Sequence, residues 1–280
     1  MYGKLGDLSR AMAAFQSIAN PNAFSWTILV VAFAQNGHFL EALFFFRKME
    51  LQGIKPTIFT CAAVIGIAAS SRDLALGRWM HARIVHQGLR INAVVENSLV
   101  NMYARCGSLG DAMEVFDAML DRGVIAWTSL IAGFVQRGDH ARALGLFRAM
   151  ALEGVMPNDI TFQCLFYSCS HQGRLREARE NFHSMIGDHG VDPSDEHFRC
   201  MVDLLARAGK IDRAEELIAA MPYEPVEVAW TMILGACRVH MDVVRANRVA
   251  AMALGQPCTD VESPYILLSN MLSDEQELAL

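Results

Sequence analysis

Two stretches of this chain, Ala23–Thr57 and Val124–Asn158, carry the same marker residues at one offset of 101 positions. Trp26 falls on Trp127, Thr27 on Thr128, Gly37 on Gly138 and Ala42 on Ala143. Phe46 then falls on Phe147, Met49 on Met150, Gly53 on Gly154 and Pro56 on Pro157. Such self-similarity marks a repeat protein, and it constrains the fold more than any other feature. Within Val124–Asn158, Trp127, Leu130, Ile131 and Phe134 recur at helical spacing. Gly138 breaks that helix, and Ala143, Leu144, Phe147 and Met150 form a second apolar stripe. Gly154 and Pro157 then close the unit as a helix stop followed by proline. Each unit is therefore two short helices and a turn. One such hairpin cannot bury enough surface alone, so neighbours must stack. The expected fold is all-α, a right-handed α-solenoid of stacked helix-turn-helix repeats.

The same register runs through the chain. It gives a truncated unit at 1–22 and units at 23–57, 58–92, 93–123, 124–158, 159–194 and 195–226, followed by a distinct stretch at 227–280. The offset also places Met1-Tyr2 on Met102-Tyr103 and Phe15 on Phe116. On that register the chain is expected to start within a first helix, as a piece of a longer protein with any leader upstream. An apolar content of 53% suits hairpins that bury faces on two sides. No apolar run reaches the roughly 18 residues of a membrane-spanning helix.

Catalytic signatures are missing. There is no GxGxxG, no GxxxxGK[ST] and no GxSxG. A zinc deaminase needs HxE and PCxxC; no histidine here has Glu two residues on, and Pro257-Cys258 has no second cysteine. The chain reads as a non-enzyme with no cofactor and no metal site. Its seven cysteines include no CxxC pair, and they read as small buried hydrophobes in a reducing compartment. A formal charge of −6 argues against a nucleic-acid binder that works by bulk charge, although a local basic face remains compatible with it.

Unit lengths alternate, whereas a tetratricopeptide array keeps one length. With NSLVNMYARCG at Asn97–Gly107, WTSLIAGFVQRG at Trp127–Gly138 and FRCMVDLLARAGKIDRAEELI at Phe198–Ile218, the chain resembles the pentatricopeptide repeat (PPR) family, in its plant PLS subclass. The ordinary, long and short units would be 23–57, 58–92 and 93–123, then 124–158, 159–194 and 195–226. EVAWTMILGACRVHMDVVRANRVAAMAL after Val226 and SPYILLSN at Ser263–Asn270 resemble the E region of organelle RNA-editing factors, here incomplete past Met271.

The resemblance implies a sequence-specific binder of single-stranded organelle RNA, in the mitochondrion or chloroplast. It would act as a site-recognition factor for cytidine-to-uridine editing, with accessory proteins or a deaminase supplied in trans through the E-like region. In the family each unit reads one base with its fifth and last residues. Carried over, the base readers are Thr27, Thr57, Asn97, Thr128, Asn158, Gln163 and Ser194. Thr128/Asn158 matches the adenine combination. Thr27/Thr57 leans to purine, and Asn97 points to a pyrimidine although Gly123 offers no side chain. Ala62/Asn92 and Arg199/Val226 follow no rule. The base-wedging second residues would be Phe24, Phe59, Val94, Ile125 and Ile160, with Glu196 departing. The plain alternative is that these apolar residues begin the core stripe. Arg105 and Arg207 are the expected phosphate contacts, with Lys4 at the corresponding place in the first unit. Three other readings stay open: an RNA stability or splicing factor, a TPR-like protein-interaction scaffold, and a non-functional partial product.

Overall fold

The computed structural model describes residues 2–88, 92–223 and 227–254, with the backbone alone at 2, 4, 227 and 251–254. Among these residues the chain is all-helical. A 3₁₀ turn at Tyr2–Leu5 precedes 15 α-helices. They are α1 (Leu8–Gln16), α2 (Ala23–Gln35), α3 (Phe39–Leu51), α4 (Ile58–Ser71), α5 (Leu74–His86), α6 (Ala93–Arg105), α7 (Leu109–Ala118), α8 (Val124–Gln136), α9 (His140–Leu152), α10 (Asp159–Gln172), α11 (Leu175–Gly187), α12 (Asp195–Arg207), α13 (Ile211–Ala219), α14 (Glu227–Val239) and α15 (Val243–Leu254). No described helix is long and apolar enough to cross a membrane.

Local chemistry sets the helix ends. Asn22, Thr57, Asn92 and Asn158 stand at N-caps, and each side chain accepts from the backbone N–H three residues on, at 3.0–3.2 Å. Such a bond satisfies one of the free N–H groups of a first turn. Several second helices take aspartate instead: Asp7, Asp73 and Asp139 accept from Arg10, Leu76 and Arg142. Between α8 and α9 the chain reverses at Gly138, whose φ of +79° a side chain would strain.

The chain divides into two compact units, Met1–Val155 and Met156–Leu280. In the first, α2, α4, α6 and α8 pack in series; in the second, α10, α12 and α14 do the same. Each second helix folds back on its own first helix. Second helices lie further from one another and meet through side chains, as where Phe46 of α3 meets Trp79 of α5 edge-on with ring centroids 6.4 Å apart. First helices thus have partners on several sides. Accordingly α8 buries Ala126, Trp127, Thr128, Leu130, Ile131, Gly133, Phe134 and Val135, whereas α9 buries only His140, Ala143 and Met150. Close approach at α8 requires Gly133, where a Cβ would lie 2.9 Å from the Cβ of Ala104 on α6.

The sequence offset has a spatial counterpart. Phe15 meets Trp26 edge-on with ring centroids 4.6 Å apart, and Phe116 meets Trp127 edge-on at 4.7 Å. Ion pairs also join second helices across the surface: Arg83–Glu50, Arg78–Asp111 at 2.8 Å, and Arg248–Glu215 at 2.7 Å. The Arg78 and Arg248 side chains are more than half exposed, so solvent and salt screen these pairs and they add little to stability.

Helix α1 buries no side chain fully, whereas α6 buries Val95, Leu99, Val100, Met102, Tyr103 and Ala104. Amides of Leu8–Gln16 should therefore exchange through local opening well below global stability, with α6 protected to near the global value. Equal protection of the two helices in a hydrogen-exchange experiment would contradict this burial gradient.

Candidate functional site

The second residue of each first helix lies outside the core. Phe24, Phe59, Val94, Ile125 and Ile160 are 45–68% exposed. The core stripe starts further along, at Trp26, Cys61, Val95, Ala126 and Phe162. Glu196 occupies the corresponding place on α12 and is exposed as well. Val228 on α14 is a sixth apolar residue at this position, 41% exposed, that sequence reasoning did not single out. Its signal was present, since Val228 also stands second in its helix.

The last residues Thr57, Asn92, Gly123, Asn158 and Ser194 stand at the N-caps of the following first helices. In the first unit the structure brings Thr27 and Thr57 together, with their hydroxyl oxygens 3.1 Å apart. Thr27 is buried, and Thr60 closes a hydroxyl triad at 2.7 Å from Thr27 and 2.9 Å from Thr57. Asn97 is half-buried, and its Oδ1 is buried without a hydrogen-bond partner among the described residues. Gly123 starts α8 without a capping side chain. Ala62 is half-buried and Asn92 exposed. Thr128 is buried.

In the second unit Asn158 caps α10: its Oδ1 accepts from the Thr161 N–H at 3.0 Å and from the Thr161 hydroxyl at 2.8 Å. Ser194 precedes α12, and its N–H donates to Nδ1 of His197 at 2.9 Å. That fixes the tautomer. Nδ1 accepts, so Nε2 carries the proton and donates to the Asp159 carbonyl at 2.8 Å. His197 thereby ties the start of α12 to the start of α10. A groove of about 390 Å³ crosses α10, α12 and α14, and Gln163, Tyr167, His171, Arg199 and Arg207 line it.

The cations differ in how free they are. Arg105 ends α6 exposed, with no ion pair among the described residues. Arg207 ends α12 with its Nε 2.9 Å from Oδ1 of Asp203, which also accepts from the Ser170 hydroxyl. Its charge is largely balanced at home. Arg199 lies between Asp195 at 3.4 Å and Glu196 at 3.6 Å. The Lys4 side chain, Val226, Cys258 and Ser263–Asn270 lie outside the described residues.

Burial pushes the Cys164, Cys200 and Cys237 thiols up to about 11 and Cys169 up to about 12. At neutral pH these four are protonated and weakly nucleophilic; Cys169 and Cys237 are buried in the core, whereas Cys164 and Cys200 are half-buried.

Comparison with known proteins bears on this arrangement. One PPR repeat family profile matches residues 122–171, and a PPR repeat profile matches 24–54, 97–124 and 196–224. The chain is 39% identical over 274 residues to the Arabidopsis thaliana protein named pentatricopeptide repeat-containing protein At1g06140, mitochondrial, covering 98% of this chain and 49% of that one. It is 34% identical to pentatricopeptide repeat-containing protein CRR2, chloroplastic, also of Arabidopsis thaliana, covering 99% of this chain and 42% of that one. The chain therefore spans about half the length, or less, of these curated relatives. Among solved structures, PPR10 from maize superposes with a TM-score of 0.54 at 17% identity, over 96% of this chain and 45% of that one. PPR10 in complex with an 18-nt psaJ RNA element gives a TM-score of 0.61 at 14% identity, over 95% and 45%. The fold is the all-α solenoid of stacked hairpins seen in those structures. By its matched repeats, its relatives and its hairpin fold, the chain belongs to the PPR repeat family.

Proposed function

We propose that this chain binds single-stranded RNA along its layer of first helices, one base per hairpin, with the fifth and last residues reading the base edge. Within a longer organelle protein it would serve as the site-recognition part of a cytidine-to-uridine editing factor of the PLS type. The observation that carries the reading is the row of exposed apolar second residues, Phe24, Phe59, Val94, Ile125 and Ile160. Each stands one turn before the fifth residue of its helix. Apolar side chains left in water beside polar junctions suit stacking against bases, which tolerates any base identity. Discrimination then falls to hydrogen bonds from the junction residues.

Chemistry is assigned to a partner. The helical pair α14–α15 begins the E-like stretch and is the proposed dock for a deaminase or accessory protein. Purified chain incubated with bound RNA and zinc should leave cytidine unchanged; uridine formation without added protein would point to a catalytic site in the chain itself.

The binding test is a titration with single-stranded against duplex RNA of one sequence. Single strands should win clearly. The salt dependence should be shallow, because Arg105 is free while Arg207 and Arg199 are paired. About 0.7 of a log unit per neutralised phosphate gives a slope of about −1 to −2. A slope steeper than about −4 would mean that charge, and not stacking and base reading, holds the RNA.

A further inference from the structure

Thr60, the third residue of α4, belongs to none of the base-reading positions above, yet it is fully buried beneath two of them. The hydroxyl protons around it can be counted, because each threonine has one. Thr27 Oγ1 lies 2.7 Å from the Ala23 carbonyl oxygen, which can only accept, so the Thr27 proton points back into its own helix. In the 2.7 Å contact between Thr60 and Thr27 the donor must then be Thr60. Thr60 Oγ1 also accepts the Thr57 N–H at 3.0 Å, which leaves it one lone pair. Thr57 Oγ1 lies 2.9 Å from Thr60 and 3.1 Å from Thr27, both with their protons spent, so Thr57 donates inward to the nearer Thr60 and fills its last lone pair, which leaves Thr27 one lone pair. Thr57 accepts the Thr60 N–H at 3.2 Å and keeps one lone pair. All three protons are thus committed within the protein, that of Thr27 to the Ala23 carbonyl and those of Thr57 and Thr60 inside the triad.

We propose that Thr60 is a specificity-determining residue: by organising these protons it turns the Thr27/Thr57 pair into hydrogen-bond acceptors, so the hairpin selects guanine over adenine. This rests on the RNA reading proposed above. Guanine brings N1–H and N2–H donors to those lone pairs. Adenine brings the N1 lone pair against them.

The third residue of the following first helix plays an orienting part at other junctions too. Thr161 donates to Asn158 Oδ1 at 2.8 Å and so holds the carboxamide oxygen inward. His197 takes the Ser194 N–H at 2.9 Å, and the Ser194 hydroxyl lies 3.0 Å from the same Nδ1. Val95 and Ala126, in the same place on α6 and α8, have no polar group to do this. One buried position thus leaves acceptors outward at Thr57 and an amide outward at Asn158.

The test uses the full chain and a pool of single-stranded 12-mers with a randomised core, sequenced after selection. Thr27→Ala marks the column read by this hairpin. In that column the wild type should prefer guanine to adenine by about fivefold, the worth of one net hydrogen bond. In Thr60→Val the Thr57 hydroxyl is free to turn outward, and the ratio should fall to about twofold or less. Thr60→Ser keeps the hydroxyl and should keep the wild-type ratio. An adenine preference in the wild type, or an unchanged ratio in Thr60→Val, overturns the proposal. If Thr27→Ala flattens a column that Thr60→Val leaves intact, only the part given to Thr60 falls. If Thr27→Ala alters no column, this hairpin reads no base, and the RNA reading fails here with it. Independently of any variant, the Thr57 and Thr60 hydroxyl protons of the threonine-labelled wild type should give resonances separate from water. A Thr57 proton averaged with water overturns the inward count.

Discussion

Replacing Trp127 by alanine should destabilise the Met1–Val155 unit by about 3–5 kcal/mol, the usual cost of emptying a buried aromatic site. Trp127 is 2% exposed, and its ring meets Phe116 of the preceding hairpin edge-on. It is therefore a joint between hairpins as well as a core residue. Hairpin stability in such arrays depends on the neighbour interface, so the loss should spread to α7 and α8 together. The indole N–H has no hydrogen-bond partner among the described residues, which subtracts from what the ring contributes. Trp127→Phe removes that N–H and keeps an aromatic ring, so it should cost less than about 1.5 kcal/mol. A double-mutant cycle with Phe116→Ala should give a coupling of about 0.5–1.5 kcal/mol. The measurement is urea unfolding followed by far-UV circular dichroism, reading both midpoint and slope. A Trp127→Ala loss under about 1 kcal/mol would mean that the ring does not hold the joint.

The hairpins were legible because their punctuation is chemical. Glycine where φ must be positive, Asn or Thr where a first turn needs an acceptor, and an apolar stripe between them specify a helix pair without tertiary information. The matched pairs Phe15–Trp26 and Phe116–Trp127 show one sequence offset becoming one repeated contact. The division after Val155 was not legible. Gly154 and Pro157 repeat Gly53 and Pro56, so the local sequence is alike where the chain divides and where it does not. How many partners a helix has is likewise a property of stacking, and the heavy burial of α8 beside the light burial of α9 emerges only there.

At the candidate site, the exposure of Phe24 has a simple geometric cause. At about 100° per residue it lies about 200° from the buried Trp26, on the opposite side of α2. Ile28, one turn further along, is equally exposed. The pairing of Arg207 could also have been read, since Asp203 stands one turn before it. The part proposed for Thr60 is not legible in the sequence, because it depends on a wholly buried hydroxyl brought under Thr27 and Thr57 by packing. Only the capping-box spacing of Thr57 and Thr60, repeated in Asn158 and Thr161, can be read there.

Asn158→Asp should move the base preference of its hairpin from adenine to guanine by about 1–3 kcal/mol, on the RNA reading proposed here. The cap geometry sharpens that expectation. Asn158 Oδ1 is committed to the Thr161 N–H and hydroxyl, so the side chain cannot flip without losing both bonds. The amide nitrogen is therefore the group left outward, with no partner among the described residues, and it can donate to adenine N1. Aspartate keeps an oxygen for the cap and changes only the outward group, from a donor to an acceptor. Aspartate caps helices as well as asparagine does, and its charge is favoured at a helix N-terminus. Stability should hold or rise slightly while specificity inverts. Asn158→Ala removes both groups, so it should lose about 1 kcal/mol of stability and most of the discrimination. Competition titrations with single-stranded RNAs differing only at the base read by this hairpin separate the possibilities. An equal loss of affinity for all four bases in Asn158→Asp would reduce Asn158 to a structural cap. An unchanged preference would mean that this junction does not face a base.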